Sequence, residues 1–249
     1  MIDLETIWNF ADPAATEAKF RALLADAERE GGEAPLELLT QLARTLSLQK
    51  RFDEAHLLLD QAVVRMTEEM TRIQMFVLLE RGRTFNSAGK PELARPLFLE
   101  AWQLGEAGGD EGLAVDAGHM LGIVDAGEAS IDWNTRSLAI AQRSSDARAR
   151  RLVGALINNT GWTYHHMERY EDALQWFEIA LTLRSAGKHP ARIHVAQWCV
   201  ARCLRSLGRV DKSLAMQRTL KVSCEARGEP DPYVDEEIAA CEAALQPPA

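Results

Sequence analysis

The sequence predicts an all-α fold, a solenoid of about five helix pairs with a capping helix at each end. Apolar residues recur at three- and four-residue spacing along most of the 249 residues, and no segment shows the alternation of a strand. The nine prolines cluster toward the boundaries of these periodic segments, where they punctuate helices without interrupting them. Small residues also return at a fixed period, which is typical of repeat proteins.

Two series of residues, all of them small except Asn134, define the repeat. The first series occupies matching positions 39 or 40 residues apart: Ala55, Ala94, Asn134, Ala173 and Ser213. The second series stands 12 residues before the first: Ala43, Gly82, Gly122, Gly161 and Ala201. Two helix axes approach closely only where no bulky side chain stands at their crossing. Each unit is therefore predicted to be a helix A and a helix B that cross at these residues, joined by a tight turn.

Two stretches of the chain carry a family resemblance. Residues 158–164, NNTGWTY, are followed by Tyr170, Ala173 and Phe177 at repeat spacing, and residues 82–101 follow a related pattern. Both stretches resemble tetratricopeptide repeats, and the resemblance implies a right-handed superhelical solenoid. The period exceeds the usual length of about 34 residues, and in this respect the repeats are similar to those of kinesin light chains.

The resemblance divides the chain into three parts. Residues 1–34 are predicted to form an N-terminal capping segment with a helix at 13–29, and residues 35–228 to form five repeats. Residues 229–249 are predicted to form a capping helix at 233–245 and a disordered tail, since the ends of a solenoid need a cover for their apolar faces. The third repeat is degenerate, because Asp125 stands where other units have a large residue. Its residues could be shifted by one position relative to the repeat pattern of the other units.

Composition excludes several classes of function. The formal charge of −9 and pI near 5.3 disfavour binding to nucleic acids and to anionic membranes. The sequence shows neither a signal peptide nor a long apolar run, so we expect a cytoplasmic protein. The four cysteines lack a Cys-x-x-Cys pairing, and no catalytic motif is recognisable. We therefore expect no metal, no cofactor and no enzymatic activity.

In tetratricopeptide arrays the A helices line a concave groove, and the resemblance implies the same groove here. Four arginines and two tryptophans fall on the faces of the A helices that would line this groove, with few acids nearby apart from Glu37 and Asp116 at the edge. This pattern predicts a locally basic surface. Such a surface favours a protein or peptide partner that has acidic residues or a free C-terminal carboxylate, held by bidentate arginine contacts. The candidate binding residues are Arg44, Arg83, Asn86, Asn158, Asn159, Trp162, His165, Trp198, Arg202 and Arg205.

Two alternatives remain open at this point. The arginines often lie on a solvated surface or pair with acids of the next repeat in such arrays, and the tryptophans often belong to the core between repeats. The chain could also serve as a structural scaffold that self-associates into a homo-oligomer, or as the sensor subunit of a regulatory complex.

Overall fold

A computed structural model describes residues 4–187 and 189–246, and within these residues the chain is helical with no strand. A short 3₁₀ helix, Leu4–Thr6, precedes twelve α-helices. The helices are α1 Pro13–Glu30, α2 Ala34–Leu48, α3 Phe52–Arg65, α4 Thr71–Ser87, α5 Pro91–Gly108, α6 Glu111–Val124, α7 Gly127–Arg143, α8 Ala147–His166, α9 Tyr170–Ala186, α10 Pro190–Ser206, α11 Val210–Arg227 and α12 Pro232–Leu245. The end of the predicted disordered tail, residues 247–249, lies outside the described residues.

The small residues stand where helix A crosses helix B. A Cβ atom placed on Gly82 of α4 would lie 2.4 Å from Cε1 of Phe98 on α5. The same atom on Gly161 of α8 would lie 2.7 Å from Cε1 of Phe177 on α9. Both distances are below van der Waals contact, so the crossings require the absence of a side chain on one helix and use an aromatic ring on the other.

Four of the turns between helix A and helix B span three residues and contain a left-handed residue. Gly89 and Gly208 adopt φ of 75° and 73° there, a conformation that glycine accepts without steric cost. Lys50 and Glu168 adopt φ of 61° and 60° at the matching places, although a side chain makes this conformation less favourable. The turn geometry is thus common to these repeats even where the sequence lacks glycine.

The third repeat differs in the place of its turn. Helix α6 ends two residues after Gly122, whereas α4 and α8 each end five residues after the matching glycine. Helix α7 begins at Gly127, seven residues before Asn134, instead of three residues before as in the other B helices. The turn has therefore moved back by about one helical turn. Asp125 lies in this turn, and its Oδ1 accepts a 2.8 Å hydrogen bond from Nε of Arg95.

The terminal helices continue the register of the repeats. In the five predicted repeats the small residue of helix B precedes that of the next helix A by 27 or 28 residues. Thr16 of α1 precedes Ala43 by 27 residues, and Cys241 of α12 follows Ser213 by 28. Both are buried, with 1% and 0% of their surface exposed. Helix α1 thus has the character of a B helix and α12 that of an A helix.

The segment before α1 covers the part of α1 where a helix A would pack in a complete repeat. The Trp8 ring meets Phe20 edge-on with ring centroids 5.4 Å apart, and the Asn9 N–H donates to Oγ1 of Thr16 at 3.1 Å. Nε1 of Trp8 also donates to Oε1 of Gln41 on α2 at 2.9 Å. These contacts fix Trp8 beside the exposed faces of α1 and α2.

The described residues fall into two compact units. The first contains residues 4–125 and 136–152, and the second contains 126–135, 153–187 and 189–246. None of the described helices combines the length and hydropathy needed to span a membrane. Across the same part of the chain, no three His, Cys, Asp or Glu side chains are grouped as a metal-binding set.

Candidate functional site

The first unit contains a pocket of about 350 Å³. Its walls come from the segment before α1, from α2, α4 and α6, and from the first residues of α8. We call it the arginine pocket, and its lining residues are Trp8, Phe10, Gln41, Arg44, Phe76, Glu80, Arg83, Asp116, Arg148, Arg151 and Leu152. Two of the predicted binding residues, Arg44 and Arg83, are therefore part of one cavity.

Arg83 lies at the base of the arginine pocket in a network of buried charges. Its Nη1 donates to Oε1 of Glu80 at 2.5 Å, and its Nη2 contacts the carboxylate of Asp116. Burial disfavours the charged guanidinium, but the carboxylates of Asp116 and Glu80 outweigh this effect and raise the pKa of Arg83. Burial likewise opposes the charge of Asp116, and Arg83 reverses this and lowers the pKa of that carboxyl. Arg83 is thus already balanced within the protein.

Arg44 is in a different situation. Its half-buried guanidinium has its Nε 3.7 Å from Oε2 of Glu80, and it makes no hydrogen bond to any of the described residues. Burial lowers the pKa of Arg44, and the charge of Arg83 lowers it further despite the attraction of Glu80. Of these two arginines, Arg44 has the less compensated charge. The predicted Asn86 is half-buried near the end of α4 and does not belong to the pocket lining.

One wall of the arginine pocket is aromatic. Trp8 and Phe10 stack with centroids 4.7 Å apart and planes inclined by 7°, and Phe10 is 66% exposed. The guanidinium carbon of Arg148 lies 5.1 Å from the centroid of the Phe76 ring, within cation–π range. The sequence did not predict Arg148 and Arg151 as binding residues, because they lie at the start of α8, before the residues that were expected to face the groove. The pocket is therefore lined by four arginines and two carboxylates.

The second unit contains a row of three aromatic side chains, which we call the aromatic row: Trp162 on α8, Trp198 on α10 and Tyr233 on α12. The centroids of Trp162 and Trp198 are 6.0 Å apart, and those of Trp198 and Tyr233 are 6.4 Å apart. The two tryptophans are half-buried against a core cluster that contains Phe177, while Tyr233 is 64% exposed. The tryptophans therefore contribute to the core and also present part of their surface.

Arg202 and Arg205 share one buried carboxylate, that of Glu237 on α12. Nε of Arg202 lies 3.0 Å from Oε1 of Glu237, and Nε of Arg205 donates to Oε2 at 2.8 Å. The expectation of few acids beside the arginines was thus wrong in both units, because Glu80 pairs with Arg83 on its own helix and with Arg44 from a neighbouring one, and Glu237 comes from a neighbouring helix. The surface around the predicted arginines is therefore less basic than the arginines alone suggested.

The remaining predicted residues make local contacts in the second unit. Oδ1 of Asn158 accepts a 3.6 Å hydrogen bond from the thiol of Cys199, and Asn159 is half-buried beside it. Nε2 of His165 lies 2.9 Å from Oγ of Ser206. Burial lowers the pKa of His165, and Arg202 adds to this effect. These side chains are part of the packing around the aromatic row.

Comparisons with known proteins agree with this architecture. Residues 36–69 and residues 155–191 each match a family model for the tetratricopeptide repeat. The search of curated proteins found no match.

Three solved structures are similar in fold. BtubC (BKLC) from P. vanneervenii has a TM-score of 0.67 at 16% identity, over 100% of this chain and 96% of that one. A kinesin-light-chain-like protein of Podosopora anserina, with nearly identical TPR-like repeats, has a TM-score of 0.64 at 15% identity, over 80% of this chain and 100% of that one.

The third similar structure is a signal transduction ATPase with numerous domains (STAND) from Pyrococcus horikoshii, which has a tetratricopeptide repeat sensor. Its TM-score is 0.63 at 15% identity, over 94% of this chain and 42% of that one. The family-model matches show that the chain contains tetratricopeptide repeats, and together with the glycine crossings at Gly82 and Gly161 these likenesses show a tetratricopeptide-type solenoid fold, similar to that of the kinesin-light-chain-like structure.

Proposed function

We propose that the arginine pocket binds an acidic segment of a protein partner, either an acidic side chain or a free C-terminal carboxylate. The tetratricopeptide repeats indicate a protein-interaction or scaffold role for the chain. The acidic character of the partner is the additional step, and it rests on the charges that line this pocket. The absence of enzymatic activity and the cytoplasmic location stay predictions from sequence.

The single observation that supports this proposal is the environment of Arg44. A half-buried guanidinium without hydrogen bonds to the described residues has lost part of its hydration and gained little in return. A ligand carboxylate would supply charge-assisted hydrogen bonds to Arg44 at the place where they are missing. Arg83 would contribute less, since its nitrogens already contact Glu80 and Asp116.

The shape of the arginine pocket supports a short segment and not a flat protein surface. A volume of about 350 Å³ lies within the usual range of ligand pockets and accommodates one or two side chains. The exposed ring of Phe10 and the ring of Phe76 offer apolar area next to the arginines.

Binding of fluorescein-labelled peptides tests the proposal directly. The probes are a peptide with three consecutive glutamates, its glutamine counterpart, and an otherwise neutral peptide with either a free or an amidated C-terminus. A charge-assisted hydrogen bond contributes about 1.5–3 kcal/mol, so Arg44→Gln should weaken binding of the acidic peptide about 10- to 100-fold. Fluorescence anisotropy measures the dissociation constants.

Arg81→Gln is the matched control for this experiment. Arg81 lies on α4 near Arg83 but pairs with Asp60, 2.6 Å away, and does not line the pocket. The control variant loses the same unit of charge and should bind acidic peptide within about twofold of the unaltered protein. Equal affinity of the Arg44 and Arg81 variants, or equal affinity for glutamate and glutamine peptides, would refute an acidic ligand in this pocket.

The likeness to the STAND protein with a tetratricopeptide repeat sensor favours a second candidate, a sensor or scaffold subunit. In that case the chain would associate with copies of itself or with a larger assembly through surfaces other than the arginine pocket. Light scattering over a concentration series separates the candidates, because self-association raises the mean mass with concentration in the absence of peptide. A constant monomer mass would remove the self-associating form of this alternative.

A further inference from the structure

A pocket of about 590 Å³ in the second unit contains a cluster of reactive groups that is independent of the arginine pocket. It is formed by the first turn of α10, the last turn of α11 and the residues that lead into α12. Its lining includes a cysteine, two histidines and an arginine: Cys224, His189, His194 and Arg227. We call it the thiol pocket.

Cys224, His194 and Asp231 are arranged as a thiol, an imidazole and an orienting carboxylate. Sγ of Cys224 lies 4.0 Å from each ring nitrogen of His194, and Nε2 of His194 lies 2.8 Å from Oδ2 of Asp231. A carboxylate accepts hydrogen bonds, so Nε2 carries a proton, and Nδ1 is left as the ring nitrogen that can accept the thiol proton. Nη2 of Arg227 donates to the same sulfur at 3.6 Å. The thiol thus has a base and a permanent cation beside it.

The other cysteines have the opposite surroundings. The thiols of Cys199, Cys203 and Cys241 donate to oxygen atoms, at 3.6 Å to Asn158, 3.2 Å to the Tyr170 carbonyl and 3.3 Å to Ser213. An oxygen acceptor stabilises the protonated thiol and not the thiolate. Burial also raises the pKa of Cys199 and of Cys203 to about 11. Cys224, in contrast, has its sulfur next to the nitrogens of His194 and Arg227, and it lines a pocket.

We propose that Cys224 is a site of thiol modification, at which a low-molecular-weight disulfide such as oxidised glutathione forms a mixed disulfide with the protein. His194 takes the thiol proton, and the Cys224 thiolate attacks one sulfur of the disulfide. The sulfur–sulfur bond of the small molecule breaks as the new one forms, and the leaving glutathione thiolate takes a proton. The small disulfide is the oxidant, and no other reactant is needed.

The thiol pocket gives this reaction both space and charge. Only 3% of the surface of Cys224 is exposed, but the residue lines the thiol pocket. The pocket is large enough for a small peptide-like molecule. The basic side chains of His189 and Arg227 face this cavity together with the acids Glu229 and Asp231. Oε2 of Glu229 accepts a 3.2 Å hydrogen bond from Nε of Arg227, and Asp231 is hydrogen-bonded to His194.

Position-resolved labelling tests the proposal on the intact chain. The folded protein is incubated with oxidised glutathione, quenched with acid and digested, and the glutathionyl adduct at each of the four cysteines is quantified by mass spectrometry. We expect Cys224 to react at least tenfold faster than Cys199, Cys203 and Cys241, which serve as controls within the same chain. In urea all four should react at similar rates, because the unfolded chain has lost these contacts.

Two variants test the role of the neighbours of Cys224. Arg227→Gln and Asp231→Asn should each slow modification of Cys224 about fivefold or more, without changing the circular dichroism spectrum. Asp231 also caps α12 by accepting from the Tyr233 N–H at 3.0 Å, and asparagine retains this capping. The proposal is overturned if Cys224 reacts no faster than the other three cysteines in the folded protein, or if both variants react at the unaltered rate.

Discussion

Replacement of Gly82 by alanine tests the geometry of the helix crossings. The new Cβ would lie 2.4 Å from Cε1 of Phe98 and 2.8 Å from two further atoms of that ring. Carbon atoms prefer separations of about 3.5–4.0 Å. The buried ring or one of the two helices must therefore move by about 1 Å to admit a single methyl group.

The size of the effect follows from two opposing contributions. Overpacking of a core costs about 1–3 kcal/mol, whereas alanine is favoured over glycine inside a helix by about 1 kcal/mol. For Gly82→Ala we expect the free energy of unfolding to fall by about 1–2 kcal/mol, since the clash involves three ring atoms. Gly161→Ala should cost less, because its nearest contact to Phe177 is 2.7 Å.

Urea denaturation followed by circular dichroism at the helical band measures these changes. Gly108→Ala is the matched control, because Gly108 is the last residue of α5 and, apart from its chain neighbours and its own helix backbone, no atom of the described residues lies within 4 Å of its added Cβ. This control should be neutral or stabilising by up to about 1 kcal/mol. Phe98→Leu should cost less in the Gly82→Ala background than alone, since the smaller side chain relieves the clash. Equal behaviour of Gly82→Ala and Gly108→Ala would refute the crossing geometry.

Two further predictions concern stability. Gln217 is fully buried, and neither atom of its amide has a hydrogen-bond partner among the described residues, so Gln217→Leu should raise the free energy of unfolding by about 1–3 kcal/mol in the same urea assay; a loss of stability would contradict this. Burial lowers the pKa of His165 below its ordinary value of 6.5, so the unfolded chain binds more protons and stability should fall as the pH drops below about 6.5. His165→Gln should show a shallower decline between about pH 7 and 5.5 in thermal melts, and an unchanged slope would contradict the assignment.

The fold was largely predictable because its determinants are local. The small residues at helix crossings recur at fixed spacing, and in two repeats an aromatic ring fills the crossing 16 residues later, as Gly82 with Phe98 and Gly161 with Phe177 illustrate. The displaced turn of the third repeat was not predictable from that spacing. It depends on Asp125, whose partner Arg95 lies 30 residues earlier on a separate helix, and on Gly127, which adopts a φ of 58°.

The candidate site was only partly predictable, because ion pairs depend on neighbouring helices and not on periodicity. The repeat spacing identified Arg44 and Arg83 as groove-facing residues of helix A. It did not identify Arg148 and Arg151, which lie at the start of α8 and line the same arginine pocket. The N-terminal segment was interpreted as part of a cap, so Trp8 was not expected to line a pocket. Its position is set by the contact with Phe20 and the hydrogen bond to Gln41, which span 12 and 33 residues.

The predicted arginines pair with acids on neighbouring helices, and such pairs reduce the charge that is available to a ligand. Arg44 on α2 faces Glu80 on α4, Arg83 on α4 contacts Asp116 on α6, and Arg205 on α10 contacts Glu237 on α12. Each arginine thus meets an acid on the following A-type helix.

An arginine at this position therefore joins neighbouring repeats by default, and a count of arginines overstates the charge that a partner would meet. Arg83 and Arg205 have close pairings, whereas the Arg44 pairing is loose: its Nε lies 3.7 Å from Oε2 of Glu80, and this oxygen has no hydrogen-bond partner among the described residues. The negative charge of Glu80 is thus shared between two arginines, and Arg44 is the more weakly paired of the two. Glu80→Gln should therefore weaken both pairings at once and strengthen binding of an acidic peptide severalfold, as fluorescence anisotropy would measure. Weaker binding by this variant would mean that Glu80 orients Arg44 for its ligand instead of competing with it.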